Sequence, residues 1–164
     1  AEASTLWRKL MAAGTAEGLI PCGLGSRDTL RFEAGLPLYG HEISRDISPL
    51  EGGLGFFVKL KKADYIGKEA LTALKEAGLK RRVVGLTMGD KGIPRAEYPV
   101  FDAEGNEVGY ITTGSFSPTV NANIANAMVD MKYIEAGTPL WVGVRKRRLE
   151  ARVTKLPFYK REAK

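Results

Sequence analysis

The sequence predicts an α+β protein in which helices come first and a small antiparallel β-barrel follows. Near the start of the chain, hydrophobic residues recur at helical spacing, whereas from Arg81 onward they alternate with a period of two. The strand-like runs after Arg81 are short and are separated by turns rich in Gly and Pro, which is typical of small antiparallel barrels and sandwiches. With 164 residues, of which 44% are hydrophobic, the chain can bury a core without disulfides.

Three helices are predicted before residue 80. The first has Ser4 as its N-cap and carries apolar residues at spacings i, i+1, i+4 and i+5 on one face. The second is predicted to be capped by Ser26 and to end at Gly35, which can adopt a left-handed conformation. The third covers residues 68–77 and is followed by a glycine that stops it.

The segment between the second and third helices contains two further signals. Residues 48–51 read Ser-Pro-Leu-Glu, which fits a capping box with proline at the first helical position. The glycine pair that follows limits this helix to about one turn. Residues 54–60 are interpreted as a strand.

Two hairpins and two further strands are predicted after residue 80. The first hairpin closes across the turn 102–106, which contains Gly105, and the second has the basic tip 145–148. The predicted strands are 83–88, 98–101, 107–112, 124–129, 139–144 and 149–153.

The net charge of +6 is concentrated at the end of the chain. Residues 141–164 contain nine basic and two acidic residues, a net charge of +7, which leaves −1 for residues 1–140. Such a patch can bind nucleic acid, an acidic protein or an anionic small molecule, or it can be a solvated hairpin. No apolar run approaches the roughly 20 residues of a membrane-spanning helix, so no membrane partner is expected.

The single cysteine, Cys22, and the single histidine, His41, restrict the possible chemistry. One cysteine cannot form an intramolecular disulfide, and one Cys with one His cannot supply a structural zinc site, so no metal is expected. His41 is interpreted as a surface or hydrogen-bonding residue. No nucleophile elbow, P-loop, metalloprotease helix or calcium loop is present.

Three places in the chain are candidate binding elements. Arg27 and Arg31 are four residues apart on the second helix, close to Asp28 and Glu33, so they form either a surface salt-bridge lattice or a guanidinium fork for a carboxylate or amide-rich ligand. The hydroxyl-rich segment 112–118, which reads TTGSFSP and follows the third predicted strand, is either an anion site or a turn. The tail, which interleaves Phe158 and Tyr159 with basic residues, either covers a ring-bearing anion or pins the terminus.

A family resemblance adds to this reading. Residues 23–40 read GLGSRDTLRFEAGLPLYG, which closely resembles the GLGARDxLRxEAGxxLYG signature of glycine cleavage T-proteins, with Ser26 in place of the usual Ala. Folate modules of sarcosine and dimethylglycine dehydrogenases are similar. Weaker matches follow in the expected order at 48–51, 56–59, 66–71, 82–86, 92–95, 114–118 and 157–159.

The resemblance implies a division of the chain into three parts. Residues 1–45 would be a C-terminal remnant of a folate-binding catalytic domain, 46–79 a connecting strand and helix, and 80–164 an antiparallel β-barrel domain. The catalytic Asp of the family is expected upstream of this chain, so no catalytic residue is assigned and the chain is expected to be inactive alone. Asn126 departs from the family's usual apolar strand, and we expect it to disturb barrel packing or to face solvent.

The resemblance also implies a reaction. The parent protein would be an aminomethyltransferase that takes an aminomethyl group from the lipoyl arm of H-protein, passes the one-carbon unit to tetrahydrofolate and releases ammonia. Arg27 would help to hold folate, and Tyr159 with Arg161 would close the same site. The expected partners are lipoylated H-protein and tetrahydrofolate, in the cytoplasm, or in the mitochondrion of a eukaryote, with no specific nucleic acid.

Two alternatives remain at the level of sequence. One is the folate module of an enzyme resembling sarcosine or dimethylglycine dehydrogenase. The other is a stand-alone nucleic-acid-binding β domain that uses the tip 145–148 and the tail, as the charge of residues 141–164 permits.

Overall fold

The computed structural model describes residues 2–161 of the chain. The chain divides into two compact units, Ala1–Leu30 and Arg31–Lys164. Three helices come first in sequence and six strands follow, which confirms the predicted α+β class. Within residues 2–161, no helix is both long enough and apolar enough to cross a bilayer.

The first helix, α1 (Ala3–Gly14), begins earlier than predicted. Glu2 occupies the N-cap position, and its carbonyl accepts the first helical bonds from the amides of Thr5 and Leu6. Ser4 therefore lies inside the first turn, and its predicted role as the cap is wrong. No side-chain cap replaces it, so the first amides of α1 have no side-chain acceptor within residues 2–161.

The second helix, α2 (Leu24–Glu33), also begins ahead of its predicted cap. The Ser26 hydroxyl donates to the Gly23 carbonyl at 2.7 Å from inside the first turn, so it is not an N-cap. The predicted end is confirmed. Gly35 adopts a φ of +69°, and the Leu36 amide then donates to the Arg31 carbonyl at 2.8 Å, as in a left-handed helix ending.

The predicted capping box is present, although it closes a single turn. The Ser48 amide donates to the Glu51 carboxylate at 2.8 Å, and the Glu51 amide donates to the Ser48 hydroxyl at 3.2 Å. The Glu51 carboxylate also accepts a bond from Arg81 at 2.8 Å, and the Glu51 backbone carbonyl accepts one from the Val83 amide at 2.8 Å. This turn is thereby fixed to the beginning of the barrel.

The predicted strand over 54–60 is wrong, because this segment forms consecutive turns. The Phe57 amide donates to the Leu54 carbonyl at 2.9 Å, and the Val58 amide donates to the Gly55 carbonyl at 3.2 Å. Local bonds of this kind satisfy the backbone groups that a strand would offer to a neighbour. Gly55 in this segment and the glycine pair 52–53 before it favour turns, and they outweigh the β-propensity of Phe56, Phe57 and Val58.

The third helix and most strands follow the prediction closely, but the third strand continues to Ser117, so the hydroxyl-rich segment interpreted as an anion site or a turn is largely strand. Helix α3 (Lys68–Ala77) ends at Gly78, which has a φ of +79°. The strands are β1 (Arg81–Met88), β2 (Pro99–Phe101), β3 (Glu107–Ser117), β4 (Ala122–Asp130), β5 (Pro139–Val144) and β6 (Arg147–Thr154). They close into an antiparallel barrel in the order β1-β4-β3-β2-β5-β6, with β6 returning to β1.

The barrel interior is filled by alternate residues of the six strands, as a period of two requires. Its core consists of aliphatic side chains: Val84, Leu86, Met88, Val100, Val108, Ile111, Ala125, Ala127, Val129, Leu140, Val142, Leu149, Ala151 and Val153. A smaller cluster of Ile47, Val83 and Met128, with Tyr110 against it, involves the opposite face of the sheet. Because Ile47 precedes the barrel in sequence, the segment before α3 covers part of the outer face.

The first hairpin turn is held by Asp102. Its carboxylate accepts bonds from the Asn106 amide at 2.8 Å and from the Tyr133 hydroxyl at 2.7 Å. The bond from Tyr133, with those from Asn106 and against the effect of burial, lowers the pKa of Asp102 to about 2. Gly105 adopts a φ of +87° in this turn, which agrees with the predicted role of glycine there.

Candidate functional site

A bulge in β3 directs two consecutive threonine hydroxyls at one buried carboxylate. The register between β3 and β4 shifts between Ile111 and Thr113. In a regular strand, neighbouring side chains point to opposite faces, but a bulge relaxes this rule. The hydroxyls of Thr112 and Thr113 both donate to Glu42 Oε1, at 2.8 and 2.6 Å.

The second carboxylate oxygen of Glu42 is also fully engaged. It accepts a bond from the Leu38 amide at 3.0 Å and forms an ion pair with Arg31 Nη1 at 3.1 Å. Only 1% of Glu42 and 8% of Arg31 are exposed, so the pair is shielded from water. Burial alone would raise the pKa of Glu42, but these bonds and the Arg31 charge together hold the pKa below its ordinary value.

His41 lies next to this carboxylate and is half-buried. Its Nδ1 lies 2.9 Å from the Thr112 carbonyl, which can only accept, so Nδ1 carries the proton. His41 is therefore a hydrogen-bonding residue, as the sequence predicted. We call Arg31, His41, Glu42, Thr112 and Thr113 the Glu42 network.

Asn126 lies beside the Glu42 network on β4. It is opposite Thr113 on one side and Gly85 on the other, and its backbone carbonyl accepts a bond from Thr112 at 3.2 Å. The side chain is only 2% exposed, and its Oδ1 has no hydrogen-bond partner among the described residues. Asn126 thus does not face solvent, and its Oδ1 is a buried polar atom without a partner among the described residues, which carries a desolvation cost.

The C-terminal segment Leu156–Tyr159, here called the strap, is bound to the end of α2. The Tyr159 amide donates to the Glu33 carbonyl at 3.0 Å. The Phe158 ring packs edge-on against Phe32, with the ring centroids 5.3 Å apart. The hydrogen bond to Glu33 fixes the backbone of Tyr159, while the residue is 45% exposed and its ring remains accessible.

The Glu33 carboxylate links the end of α2 to the end of β3. It accepts a bond from the Ser117 hydroxyl at 2.5 Å and another from the Thr119 amide at 3.1 Å. Burial would raise the pKa of Glu33, but these bonds outweigh burial and lower the pKa. Glu33 was placed by sequence in a surface lattice, whereas the structure buries it.

The three residues predicted to bind folate have different surroundings. Arg27 belongs to the first unit and is exposed on α2. Tyr159 and Arg161 belong to the second unit, where Tyr159 is half-exposed and Arg161 exposed. Their part in ligand binding stays a prediction.

The two buried acids were not identified as site residues by sequence. Glu42 finds its threonine partners about 70 positions further along the chain, and no local pattern marks such a pairing. A Glu in a loop-like stretch is ordinarily exposed. Arg31 was already a candidate for an ion pair or a ligand contact by sequence, and the structure adds an ion pair with the Glu42 carboxylate at 3.1 Å.

The tip of the second hairpin is tighter and more structured than predicted. Val144 pairs with Arg147, so only Arg145 and Lys146 form the turn, with Arg145 at a φ of +56°. Cavities of about 740 and 420 Å³ flank this turn and are lined in part by Ile93, Tyr98 and Phe101. We call this surface the basic groove. Its cations are Arg95, Arg145, Lys146, Arg147 and Arg148.

The basic groove carries uncompensated positive charge. Within residues 2–161, none of its cations forms an ion pair with a carboxylate. The Arg148 guanidinium lies over the Phe101 ring, 4.1 Å from its centroid, which holds it in place. Adjacent like charges repel one another, so the groove favours a negatively charged partner.

The described residues contain no group of three or more His, Cys, Asp or Glu that could hold a metal ion.

Two domain profiles of one family match the chain. The profile of the GCVT N-terminal domain matches residues 1–62, and that of the glycine cleavage T-protein C-terminal barrel domain matches residues 81–160. The second range contains all six strands of the barrel.

Curated relatives and a solved structure agree with these profiles. The chain is 56% identical over 164 residues to an aminomethyltransferase of Moorella thermoacetica and 55% identical over 161 residues to one of Bacillus pumilus. These matches cover 100% and 98% of the chain, yet it spans only 44% of the length of each relative.

The crystal structure of glycine cleavage system aminomethyltransferase T from Bartonella henselae is similar, with a TM-score of 0.87 and 32% identity over 96% of this chain and 44% of that one. Signature, barrel topology and relatives therefore lead to one conclusion: the chain belongs to the glycine cleavage T-protein family.

Proposed function

We propose that this chain is part of an aminomethyltransferase that transfers a one-carbon unit from aminomethyl-lipoyl H-protein to tetrahydrofolate and releases ammonia. The observation that carries the proposal is the 56% identity, over the whole chain, to a curated aminomethyltransferase. The relatives named above are aminomethyltransferases by name, which favours this class of enzyme over a sarcosine or dimethylglycine dehydrogenase-like module.

Within this proposal, Arg27, Tyr159 and Arg161 contact tetrahydrofolate. A guanidinium presents several donors in a planar fork, which suits the carboxylate and amide oxygens of a folate. The exposed Arg27 and Arg161 and the accessible ring of Tyr159 are free to meet such a ligand. An aromatic ring next to cations suits a ligand that combines rings with negative charge.

The chain supplies binding groups but no assigned proton-transfer group. His41 Nδ1 is bonded to a carbonyl, and both oxygens of Glu42 are occupied. General acid–base catalysis requires a group that can reach the reacting atoms. The placement of a catalytic Asp upstream of this chain rests on the family resemblance alone and belongs to the same proposal.

An ammonia-release assay tests the proposal. With aminomethylated H-protein as substrate, we expect a protein of the relatives' full length to release ammonia in a reaction that depends on tetrahydrofolate. We expect the 164-residue chain alone to release none above the protein-free rate. Ammonia release by the full-length protein that is indifferent to tetrahydrofolate would contradict the reaction. Release by the chain alone would contradict its inactivity.

We further propose that the basic groove docks the H-protein, as an acidic partner. The groove concentrates its cations on a two-residue turn and lacks internal ion pairs within the described residues. Charge complementarity of this kind speeds association and selects partners. A short tip also suits one docking contact better than the extended groove with successive stacking rings that single-stranded nucleic acid uses.

Charge reversal in the groove tests this docking. We expect the full-length variant Arg145→Glu/Lys146→Glu to raise the KM for H-protein about tenfold at low salt, because attraction becomes repulsion. The control variant Lys61→Glu/Lys62→Glu changes charge equally on another exposed loop and should leave this KM within about twofold. Equal KM values for both variants would contradict docking. A steep salt-dependent affinity for single-stranded oligonucleotide would favour the nucleic-acid alternative.

A further inference from the structure

The strap lies in a seat formed by three elements of the second unit. On one side, the end of α2 provides the Phe32 ring and the Glu33 carbonyl. On the other side, β1 provides Gly85, which is part of the barrel wall. The Glu33 carboxylate accepts a hydrogen bond from Ser117 at the end of β3. The end of α2 is therefore linked to the barrel, and both contact the strap.

The strap approaches the barrel closely at Gly85. A Cβ added there would lie 3.0 Å from Leu156 Cδ2, from Phe158 Cε1 and from the Thr154 carbonyl oxygen. Its φ is not in the left-handed region, so backbone conformation does not require glycine at this position. The close approach of the strap does. A side chain at residue 85 would require the far ends of the Leu156 and Phe158 side chains, or the Thr154 carbonyl, to give by a few tenths of an ångström.

The strap also lies close to Gly35. A Cβ added at Gly35 would lie 3.3 Å from Pro157, and Gly35 also has a φ of +69°. The strap is thus confined between two glycines, while the Tyr159 amide is bonded to the Glu33 carbonyl at 3.0 Å. A shift of Phe158 at the Gly85 side is transmitted to Tyr159, the next residue along the chain.

We propose that Gly85 is a positioning residue for ligand binding: its missing side chain seats Phe158, and the seated strap holds the Tyr159 ring where it contacts tetrahydrofolate. The inference rests on the proposed role of Tyr159. Gly85 touches no ligand, and it acts through the strap alone. Binding and rate depend on how accurately a contact group is held, so a disturbed strap is expected to weaken the contact made by Tyr159.

A double-mutant cycle in the full-length protein tests this role. The variants are Gly85→Ala, Tyr159→Ala and their combination, with tetrahydrofolate affinity measured by equilibrium dialysis and folding by thermal unfolding. We expect each single variant to weaken affinity about tenfold and the double variant to be no weaker than Tyr159→Ala within about twofold, because both changes remove one contact.

Gly89→Ala is the matched control. Gly89 directly follows β1, and a Cβ there would lie 3.5 Å from the Glu150 carbonyl oxygen, an ordinary contact distance. We expect its tetrahydrofolate affinity to stay within about twofold of the parent. If Gly85→Ala does not fold, Phe158→Leu replaces it in the cycle, since it removes the edge-on ring contact with Phe32 and leaves the barrel unchanged.

The outcomes distinguish the positioning role of Gly85 from the tetrahydrofolate contact of Tyr159. If Tyr159→Ala weakens binding and Gly85→Ala does not, or if the losses add, the positioning role is overturned while the folate contact stands. If Tyr159→Ala leaves affinity unchanged, the contact itself is wrong and the positioning role falls with it. Ammonia release that still depends on tetrahydrofolate would show that the proposed reaction survives either failure.

Discussion

Replacing Glu42 by alanine is expected to lower the free energy of unfolding by about 3–5 kcal/mol, the range for removing one member of a buried ion pair. Arg31 is 8% exposed and would lose the Glu42 carboxylate, with which it pairs at 3.1 Å. The hydroxyls of Thr112 and Thr113 would lose their common acceptor as well. Urea unfolding followed by near-ultraviolet circular dichroism measures the loss.

Two companion variants identify the cause. Glu42→Gln keeps the size of the side chain but removes its charge, so a loss above about 2 kcal/mol there reflects the ion pair and not a cavity. Glu150→Ala removes the exposed partner of Arg152 and should cost under about 1 kcal/mol. Equal losses for Glu42→Ala and Glu150→Ala would show that the Glu42 network contributes no more than a surface ion pair.

The same residue gives stability a defined pH dependence. The pKa of Glu42 is lowered in the folded chain from an ordinary value of 4.5. The stabilisation by its carboxylate is therefore complete above pH 4.5 and is lost as pH falls through the lowered folded pKa. In Glu42→Gln, the slope of stability against pH should be smaller in this acidic range, because one depressed carboxylate is gone.

Sequence patterns located the barrel because strand alternation is a local signal that barrel closure reinforces. The predicted starts of the first two helices were less accurate. Ser4 and Ser26 are residue types that favour the N-cap, but α1 begins one residue before Ser4 and α2 two residues before Ser26. The segment 54–60 has strand composition, but glycines and local hydrogen bonds turn it into a series of turns. There, local backbone chemistry outweighed propensity.

The Glu42 network was beyond local patterns for a different reason. It depends on the bulge between Ile111 and Thr113, and the alternation of residues along β3 does not predict where a bulge occurs. It also joins residues about 70 positions apart. Asn126 is the opposite case: its departure from an apolar pattern was visible in the sequence, and its burial beside this bulge accounts for the unpaired Oδ1. Buried polar groups of this kind are recognised only once the packing is known.

Replacing Arg27 by lysine in the full-length protein is expected to weaken tetrahydrofolate binding by roughly 1–3 kcal/mol, or about 5- to 150-fold. Lysine retains the positive charge but loses the planar fork that can bond two acceptors at once. The Arg27 side chain is exposed, and it forms no ion pair with residues 2–30 of its unit that a lysine would disturb. Thermal unfolding should therefore change little.

Arg8→Lys is the matched control for this change. Arg8 lies on α1, is also exposed, and has no predicted ligand role, so its tetrahydrofolate affinity should match that of the parent. A selective loss in Arg27→Lys with unchanged unfolding indicates a bidentate ligand contact, since a surface ion-pair partner tolerates lysine with under about 1 kcal/mol of change and no loss of affinity. Unchanged tetrahydrofolate binding in a folded Arg27→Lys protein would return Arg27 to the role of a solvated surface charge, and the family signature around it would then be a requirement of the α2 fold and not of the ligand.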